Sequence, residues 1–595
     1  MIKKFFLNLL SSFLGAWIAI VLSGVVIFFI FMALMGKLAL STVESNVNVT
    51  KNSVLVLDLD GEICETEVAR EFDMDMLIQG EVDKPQTLLS LTTAINEATD
   101  NKDINAIYIK CGNLAASPAT LHSLRNSLVA FKKNCSKPII AYADNMAQSA
   151  LYVASCADSI FLNPQGIVQL NGIGGVSIYF SELFRKIGIE WQVAKVGTYK
   201  SAVEPFITNE MSEPARRQML ELYDGVWAEV RREIAKGRGI PEAQIDSMVN
   251  NYIITESAQD VVKTKLVSGL AYERQMDEKI GRLIECDPEK INFIDAQSFG
   301  SFSMMPSTGG DHIAVLYATG EIQENAKGGI DCYKLVPVIV DLAEDDNVKG
   351  LVLRVNSPGG SVFGSEQISD ALSYFQSTGK PLVVSMGDYA ASGGYWISCN
   401  ADYIFADPLT LTGSIGIFGM VPNGQKLLQN IGVTPQKVST NPRANIVIPF
   451  EPLTEPQMAA LQKSIDRGYL QFITKVSKGR DIPVNDVDSI AQGRVWIGST
   501  AKTLGLVDQL GSLQDAIDYT AKLTDLKNTA VGYYPDLEPS FWDMIPTAGA
   551  ESLVGKMLSK AYGIDVSPVL IQHVQEMLQR KPSQALLPEY FKVRI

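Results

Sequence analysis

Two short segments in the second half of the chain combine residue types that nucleophilic acyl-transfer chemistry uses. Ser392 is followed directly by Gly393 in the segment AASGGYW, and Gly359 and Gly360 follow the apolar run GLVLRV. A glycine pair leaves backbone N–H groups accessible, and such groups can hold the oxyanion of an acyl-transfer reaction. Taken alone, Ser392 is better explained as a helix N-cap, and the glycine pair as an ordinary turn. A nucleophilic serine would also need a base.

Bases of the usual kind are scarce in this sequence. The chain has only three histidines, and they lie far apart, outside zinc-protease spacing: His122, His312 and His573. Lys200, in the segment GTYKSAVEPF, is the alternative, although Glu204 four residues later also fits an exposed ion pair. A lysine acts as a base only when burial lowers its pKa from about 10.4. The Ser414 hydroxyl in LTGSIG could then hold the neutral amine.

The chain contains one module twice. The segment KPIIAYADNMAQSALYVASCADSIFLNP from Lys137 matches KPLVVSMGDYAASGGYWISCNADYIFADP from Lys380, and the match extends both ways over about 240 residues. Each copy alternates short apolar runs with helical patterns, which predicts an α/β fold with a mainly parallel sheet covered by helices. Because a functional residue need survive in only one copy, differences between the copies indicate where the chemistry lies.

The candidate residues are divided between the two copies. Ser149 stands at the position of Ser392, but the glycine that follows Ser392 and the upstream glycine pair are missing from the first copy. Lys200 belongs to the first copy and aligns with Ala444 of the second. We therefore expect one complete site per chain, with the first copy donating a lysine across a pseudo-twofold interface to the serine of the second.

The N-terminal region predicts a membrane anchor. Residues 5–36 carry no charged side chain, and the segment 13–35 exceeds the roughly 20 residues that a helix needs to cross a bilayer. It is also longer than the apolar region of a cleaved signal peptide, about 7–15 residues. Lys3 and Lys4 before the span predict a cytoplasmic N-terminus and an extracytoplasmic body. The net charge of −15 argues against a nucleic-acid partner.

With these residues identified, the chain resembles the signal peptide peptidase A family, in its long, duplicated, membrane-anchored bacterial form. The motifs that carry the resemblance are VGTYKSAVEPF, RVNSPGGSV, ASGGYWIS, LTGSIGIFG and GRVWIGSTAKTLGLVD. The resemblance implies tandem ClpP/crotonase-like domains. It also implies a homo-tetrameric serine endopeptidase of the inner membrane, with its catalytic body on the periplasmic side, that degrades cleaved signal peptides and similar apolar peptides.

The same resemblance assigns roles to individual residues. It makes Ser392 the nucleophile, Lys200 the general base and Ser414 the hydroxyl that orients the lysine. The oxyanion would be held by backbone N–H groups of the glycines, either Gly359 or Gly360 together with Gly393. We expect membrane lipid and apolar peptides as partners, and neither a cofactor nor a metal.

The repeat boundaries predict five parts along the chain. They are the cytoplasmic stub, anchor and juxtamembrane segment (1–52), the first repeat (53–300), a linker (301–311), the second repeat (312–527) and a C-terminal tail (528–595). Two other functions stay open. A crotonase-type enzyme acting on CoA thioesters is disfavoured because CoA is cytosolic. A non-catalytic membrane scaffold is disfavoured by the intact serine, lysine and glycine set.

Overall fold

The computed structural model describes residues 48–65, 86–303, 310–326, 328–441, 444, 449–526, 530–534 and 583–586. The expected anchor at 13–35 and His573 lie outside these residues. Within the part of the chain so described, no helix combines the length and the apolar character that a membrane crossing requires.

The first repeat is built on a parallel sheet of apolar strands. Its seven described strands are β1 (Ser53–Cys64), β2 (Gln86–Thr87), β3 (Ile104–Ala115), β4 (Ile139–Ala143), β5 (Ser159–Leu162), β7 (Gly269–Leu270) and β8 (Asn292–Asp295). They run in the order β2-β1-β3-β4-β5-β7, and β8 also pairs with β1, along residues 53–56. Every neighbouring pair is parallel. Strands of such a sheet are covered on both faces, which explains why they are near-continuous apolar runs.

Helices cover this sheet and extend from it. They are α1 (Leu88–Asp100), α2 (Pro118–Asn134), α3 (Gln148–Ala154), α4 (Ser181–Ile187), α5 (Glu204–Ile207), α6 (Glu213–Arg238), α7 (Glu242–Asn250), α8 (Ala258–Lys263), α9 (Met276–Leu283) and α10 (Ala296–Ser303). Short 3₁₀ turns occupy Ile253–Thr255, Glu273–Gln275 and Pro288–Lys290. The long helix α6 begins where the Ser212 side chain accepts a bond from Ala215 N and ends at Gly239 in the left-handed conformation. These are the usual start and stop signals of a helix.

The second repeat forms a sheet of the same kind. Its eight described strands are β9 (His312–Thr319), β12 (Val348–Ser357), β14 (Leu382–Ala391), β15 (Tyr403–Ala406), β16 (Leu411–Gly413), β18 (Val495–Ile497), β19 (Gln509–Leu510) and β20 (Ala530–Tyr534). The main order is β18-β16-β14-β12-β9-β20, and only the β16–β18 pair is antiparallel among these described strands. Strand β20 follows residue 527 and pairs with β9.

The helices of the second repeat match those of the first in place. They are α11 (Cys332–Glu344), α12 (Val362–Ser377), α13 (Gly393–Ser398), α14 (Gln425–Asn430), α15 (Glu455–Arg480), α16 (Val484–Ile490), α17 (Gly498–Thr503) and α18 (Leu513–Leu523). The α/β architecture in two tandem copies, predicted from the internal repeat, is confirmed.

A third sheet joins the two repeats at the end where the site lies. It consists of β11 (Ile330–Asp331), β10 (Ile322–Gln323), β13 (Gly359–Ser361), β21 (Ser583–Leu586), β17 (Phe418–Asn423) and β6 (Glu190–Lys195), in that order. Strand β6 comes from the first repeat and pairs antiparallel with β17 of the second. Strand β21 comes from the tail. The loop that follows β6 therefore lies against the second repeat.

Buried polar contacts also hold the two repeats together. The start of α2 faces the second repeat, where Thr120 donates from its backbone N and its Oγ1 to Asp388 at 2.8 and 2.9 Å. Two residues on, His122 Nδ1 lies 2.6 Å from Asp407 Oδ2. All four side chains are buried. Since a buried carboxylate is costly unless it is paired, these contacts favour one relative position of the repeats.

Candidate active site

Ser392 lies between the end of β14 and the start of α13, in a backbone conformation that serine rarely adopts. Its φ is 55°, its exposure is 0%, and its backbone N donates to Gly413 O at 2.8 Å. Ser392 occupies the N-cap position of α13, as its sequence context predicts, but its hydroxyl makes no capping bond to the helix. A non-glycine residue held at positive φ carries strain that surrounding structure must maintain, and such residues cluster at functional sites.

Lys200 reaches this serine from the other repeat. It lies in the loop after β6 and is fully buried, with Nζ 2.9 Å from Ser392 Oγ. The amine also lies 3.0 Å from Ser414 Oγ and 3.2 Å from Ser414 O. Burial lowers the pKa of Lys200 to about 7. The exposed ion pair with Glu204 does not form, because the Glu204 carboxylate accepts bonds from the backbone N and the hydroxyl of Ser212.

A glycine cradle holds the lysine in place. A Cβ built at Gly493 would lie 2.7 Å from Lys200 N and 2.8 Å from Lys200 Cβ, and one built at Gly416 would lie 3.3 Å from Lys200 Cδ. Beside it, Tyr199 N donates to Gln492 O at 2.9 Å, and the Arg494 guanidinium lies 5.0 Å from the Tyr199 ring centre. A larger residue than glycine would displace the loop that carries the amine.

Sequence reasoning missed this cradle. Gly493 opens the motif GRVWIGSTAKTLGLVD, which supported the family resemblance but received no role. The only signal available was that Gly493 begins a motif to which the sequence assigned no role. Its φ of +75° and its contact with a lysine almost three hundred residues earlier are visible only in the fold.

The glycine pair lies directly beside the serine. Gly359 and Gly360 have φ of 106° and 151°, within the region that favours glycine. A Cβ built at Gly393 would lie 3.1 Å from Gly360 N, so the glycine pair and the residue after the serine face each other. The Gly359 N–H donates to Ser357 Oγ at 3.2 Å. Gly360 and Gly393 are therefore the better placed pair of N–H donors.

A slot one strand wide runs past the serine, between β13 and β17. In the structure it holds β21 of the chain's own tail, antiparallel to both neighbours. Gly360 lies opposite Ala585, and Gln584 lies opposite both Ser361 and Phe418. Because each strand edge offers backbone N–H and C=O groups, the slot can bind an extended peptide through its main chain on both sides.

The remaining candidates lie elsewhere. Ser149, the counterpart of Ser392, lies inside α3 and donates to Leu114 O at 2.7 Å. His122 hydrogen-bonds with Asp407 and Asn126. His312 hydrogen-bonds with Gly310 and Tyr534. Across the described ranges, no group of His, Cys, Asp and Glu could hold a metal ion. Ser392, Lys200, Ser414 and the three glycines thus form a single cluster.

Comparison with known proteins identifies the family. The model of peptidase family S49 matches residues 131–285 and 374–527, one match in each repeat. The chain belongs to peptidase family S49. It is 36% identical to Protease 4 of Salmonella typhi over 538 residues, covering 87% of this chain and 86% of the relative. It is 35% identical to Protease 4 of Haemophilus influenzae, covering 81% of each chain.

One more distant relative by sequence is also named a serine protease. The chloroplastic serine protease SPPA of Arabidopsis thaliana is 27% identical and covers 79% of this chain and 69% of its own length. Among solved structures, a membrane-bound stomatin-specific protease matches 38% of this chain and 99% of its own, with 13% identity and a TM-score of 0.26. The family assignment and the Protease 4 relatives make this chain a serine protease of family S49.

Proposed function

We propose that the protein is a membrane-anchored serine endopeptidase that uses a Ser/Lys dyad to degrade cleaved signal peptides and similar apolar peptides. The observation that carries the proposal is the 2.9 Å separation between Lys200 Nζ and Ser392 Oγ, across the two repeats and away from solvent. A pKa of about 7 means that a large fraction of the amine is neutral at neutral pH and can accept a proton.

In the proposed mechanism, neutral Lys200 takes the proton from Ser392 as its Oγ attacks the carbonyl carbon of the scissile peptide bond. The N–H groups of Gly360 and Gly393 hold the resulting oxyanion. Lys200 then protonates the leaving amine, and the acyl-enzyme forms. A water molecule, deprotonated by the lysine, attacks the ester. Lys200 returns this proton to Ser392 Oγ as the acyl C–O bond breaks and the second product leaves. Ser414 keeps the lysine amine directed at the serine through its hydroxyl and its carbonyl.

The substrate would bind as an extended strand in the slot where β21 lies. The tail strand supports this mode, because it shows that a peptide segment fits between β13 and β17 with its main chain paired on both sides. An extended peptide with apolar side chains matches a signal-peptide remnant, which has few charges.

Membrane anchoring and self-assembly complete the proposal. The segment 13–35 would act as an uncleaved anchor, with the N-terminus in the cytoplasm and the catalytic body in the periplasm. The resemblance to signal peptide peptidase A supports a homo-tetramer. An anchored enzyme near the lipid surface would meet apolar peptides as they leave the bilayer.

Two measurements on the full-length protein in detergent test the peptidase. A serine-directed fluorophosphonate should label Ser392, identified by mass spectrometry of the modified peptide, and labelling should disappear in Lys200→Ala. Product mapping of a synthetic signal peptide should show internal cleavage by the wild type and none by Ser392→Ala. Cleavage by purified Ser392→Ala at the wild-type rate would overturn the proposal.

A further inference from the structure

One arginine beside the site contacts both of the segments that surround the lysine amine. Arg494 belongs to the motif GRVWIGSTAKTLGLVD, in which only the glycine cradle has so far received a role. Its carbonyl accepts a bond from Ser414 N at 2.7 Å, and Ser414 has a φ of 49°. Its guanidinium lies 5.0 Å from the ring centre of Tyr199, the residue directly before Lys200. Arg494 thus contacts the segment of the base with its side chain and that of the orienting hydroxyl with its main chain.

The guanidinium lies over two aromatic rings. It is 4.1 Å from the ring centre of Trp496 as well as 5.0 Å from that of Tyr199. A guanidinium within about 6 Å of a ring centre is attracted by the ring, and its planar shape favours stacking. The indole is held in turn, because Trp496 Nε1 donates to Ile490 O at 3.0 Å. Tyr199, Arg494 and Trp496 are called the arginine cluster below.

Helix α6 of the first repeat holds the arginine cluster from a second direction. Arg494 Nη2 lies 2.5 Å from Glu221 Oε2, and Arg217, one turn earlier on α6, donates to the hydroxyl of Tyr199. The side chain of Arg494 is 24% exposed, so this ion pair is partly shielded from solvent. The lysine loop, α6 and the residue before β18 are therefore joined at one point.

The arginine cluster occurs once per chain, as the Ser/Lys dyad does. The counterparts of its three residues in the other copy include no aromatic side chain: they are Arg443 for Tyr199, Ile254 for Arg494 and Glu256 for Trp496. Residues needed only for folding would be expected in both copies. The arginine cluster therefore follows the pattern of the serine and the lysine, which each copy has kept only where the complete site needs it.

We propose that Arg494 is a positioning residue of the Ser/Lys dyad, which holds Ser414 and the loop of Lys200 in the relative position that directs the amine at Ser392. The inference rests on the proposed peptidase. Lys200 Nζ lies 2.9 Å from Ser392 Oγ and 3.0 Å from Ser414 Oγ, so a small shift of its loop lengthens both contacts. The described hydrogen bonds of Arg494 include neither the amine nor Ser392, so it acts through its neighbours.

A purely structural role for Arg494 predicts different kinetics. Loss of an ion pair between the repeats lowers stability but leaves the folded enzyme unchanged. A loosened lysine loop instead misdirects the amine, which lowers kcat, and admits water, which raises the lysine pKa from about 7 toward its usual value. The acid limb of kcat/KM then moves to higher pH. The other charged side chains that contact this loop or Arg494 stay unchanged in the variants below: Arg217, Glu221 and Lys195.

The test compares variants of the full-length protein in detergent, with a synthetic signal peptide as substrate. Arg494→Lys keeps the positive charge but loses the planar group that lies over the two rings. It should lower kcat about 10-fold or more and leave KM within about twofold, because the reacting groups are displaced while the peptide slot is not. The acid limb of kcat/KM should move up by about one pH unit.

Variants of Tyr199 test the same contact from the lysine loop, and they also serve if Arg494→Lys does not fold. Tyr199→Leu should lower kcat and move the acid limb in the same direction, and Tyr199→Phe should recover part of kcat because the ring remains. The double variant Arg494→Lys/Tyr199→Leu should lose no more than the worse single variant, since both changes remove one interaction. Losses of kcat that multiply in the double variant would contradict a shared role.

Arg231→Lys is the matched control. The Arg231 side chain is 27% exposed, lies on α6 and pairs with Glu242 and Asp246. This variant should lower the melting temperature about as much as Arg494→Lys, with kcat and the acid limb of the wild type. If Arg494→Lys also changed only the melting temperature, or raised only KM, the positioning role would be overturned and the peptidase would stand. Wild-type cleavage that does not depend on Ser392 would overturn the peptidase itself.

Discussion

Ser392 and Ser149 occupy matching positions in two copies of one module, yet their surroundings differ in every respect that matters for reactivity. Ser392 is held at a φ of 55° between a strand and a helix, with its hydroxyl beside a buried amine. Ser149 lies inside α3 and gives its proton to a backbone carbonyl. Strained positions of this kind cost about 1–3 kcal/mol each. Ser392, which faces the lysine, carries this backbone strain, and Ser149 does not.

The lysine also differs between the two repeats, but here the first repeat has the functional residue. Moving its pKa from 10.5 to about 7 corresponds to about 5 kcal/mol against the charged form. The chain accepts this cost once, at Lys200, and has alanine at the matching position 444. Duplication thus allows the nucleophile and the base to come from different copies, and each copy needs to accommodate only one demanding residue.

The largest expected effect comes from the two serines. Ser392→Ala should lower kcat/KM for a signal peptide by about 10⁴-fold or more, because nothing replaces the nucleophile. Ser149→Ala should leave kcat/KM within about twofold, since its hydroxyl only bonds within the first repeat. Both variants should melt within a few degrees of the wild type. A comparable loss in Ser149→Ala would mean that the first repeat has a catalytic part of its own.

The glycine cradle should produce the next largest effect. Gly493→Ala would push a Cβ to 2.7 Å from Lys200 N and so displace the amine, and a displacement near 1 Å can reduce a rate about 10²-fold. Alignment of α17 with α8 places Ile253 at this position in the first repeat, where no lysine needs room.

Gly505→Ala is the control for Gly493→Ala. Gly505 has the same φ of +75°, but the atom nearest to a Cβ built there is Ile482 Cδ1, at 3.4 Å. The control should therefore show the same backbone strain in its melting temperature while kcat/KM changes little. Equal losses of activity in both variants would assign the effect to strain alone and remove the cradle's role in placing the lysine.

Part of this site could be predicted from the sequence, and the reason is physical. Ser392 and Gly360 follow apolar strands, and neighbouring parallel strands end at one edge of a sheet, so their proximity follows from the strand pattern. Lys200 stands out in the sequence because the second copy has alanine at the matching position 444. The positive φ of Ser392 and the contact of Gly493 with Lys200 depend on packing between distant segments, which no local pattern reports. The same is true of β21, whose pairing partners lie more than 160 residues away.

The pH dependence of kcat/KM should show a smaller effect than the substitutions above, and it depends on the lysine of the first repeat. Only neutral Lys200 can accept the serine proton, so kcat/KM should fall about 10-fold per unit as the pH drops below about 7. Asp388, whose pKa burial raises to about 6, also titrates here, at the contact between the repeats. Circular dichroism across the same range should show an unchanged fold. A rate that stays constant down to pH 5 would exclude lysine as the base.

The smallest effect should come from strand β21 of the tail, which pairs with two strands of the second repeat. Strand β21 lies in the slot between β13 and β17 where a substrate strand would bind, so the two compete. Deletion of residues 583–595 should therefore lower KM several-fold, because the substrate no longer competes with β21 for the slot. The value of kcat should change little, because the Ser/Lys dyad is unchanged.

Deletion of residues 587–595 alone is the matched control, since it leaves β21 intact. This shorter deletion should keep the wild-type KM, and a synthetic peptide of sequence SQALLPEY should inhibit the longer deletion competitively. If the longer deletion raised KM instead, β21 would be a part of the binding wall, contributing a permanent strand edge to the substrate. The slot would then bind peptide along a different edge, and the main-chain pairing inferred from the tail would need to be reassigned.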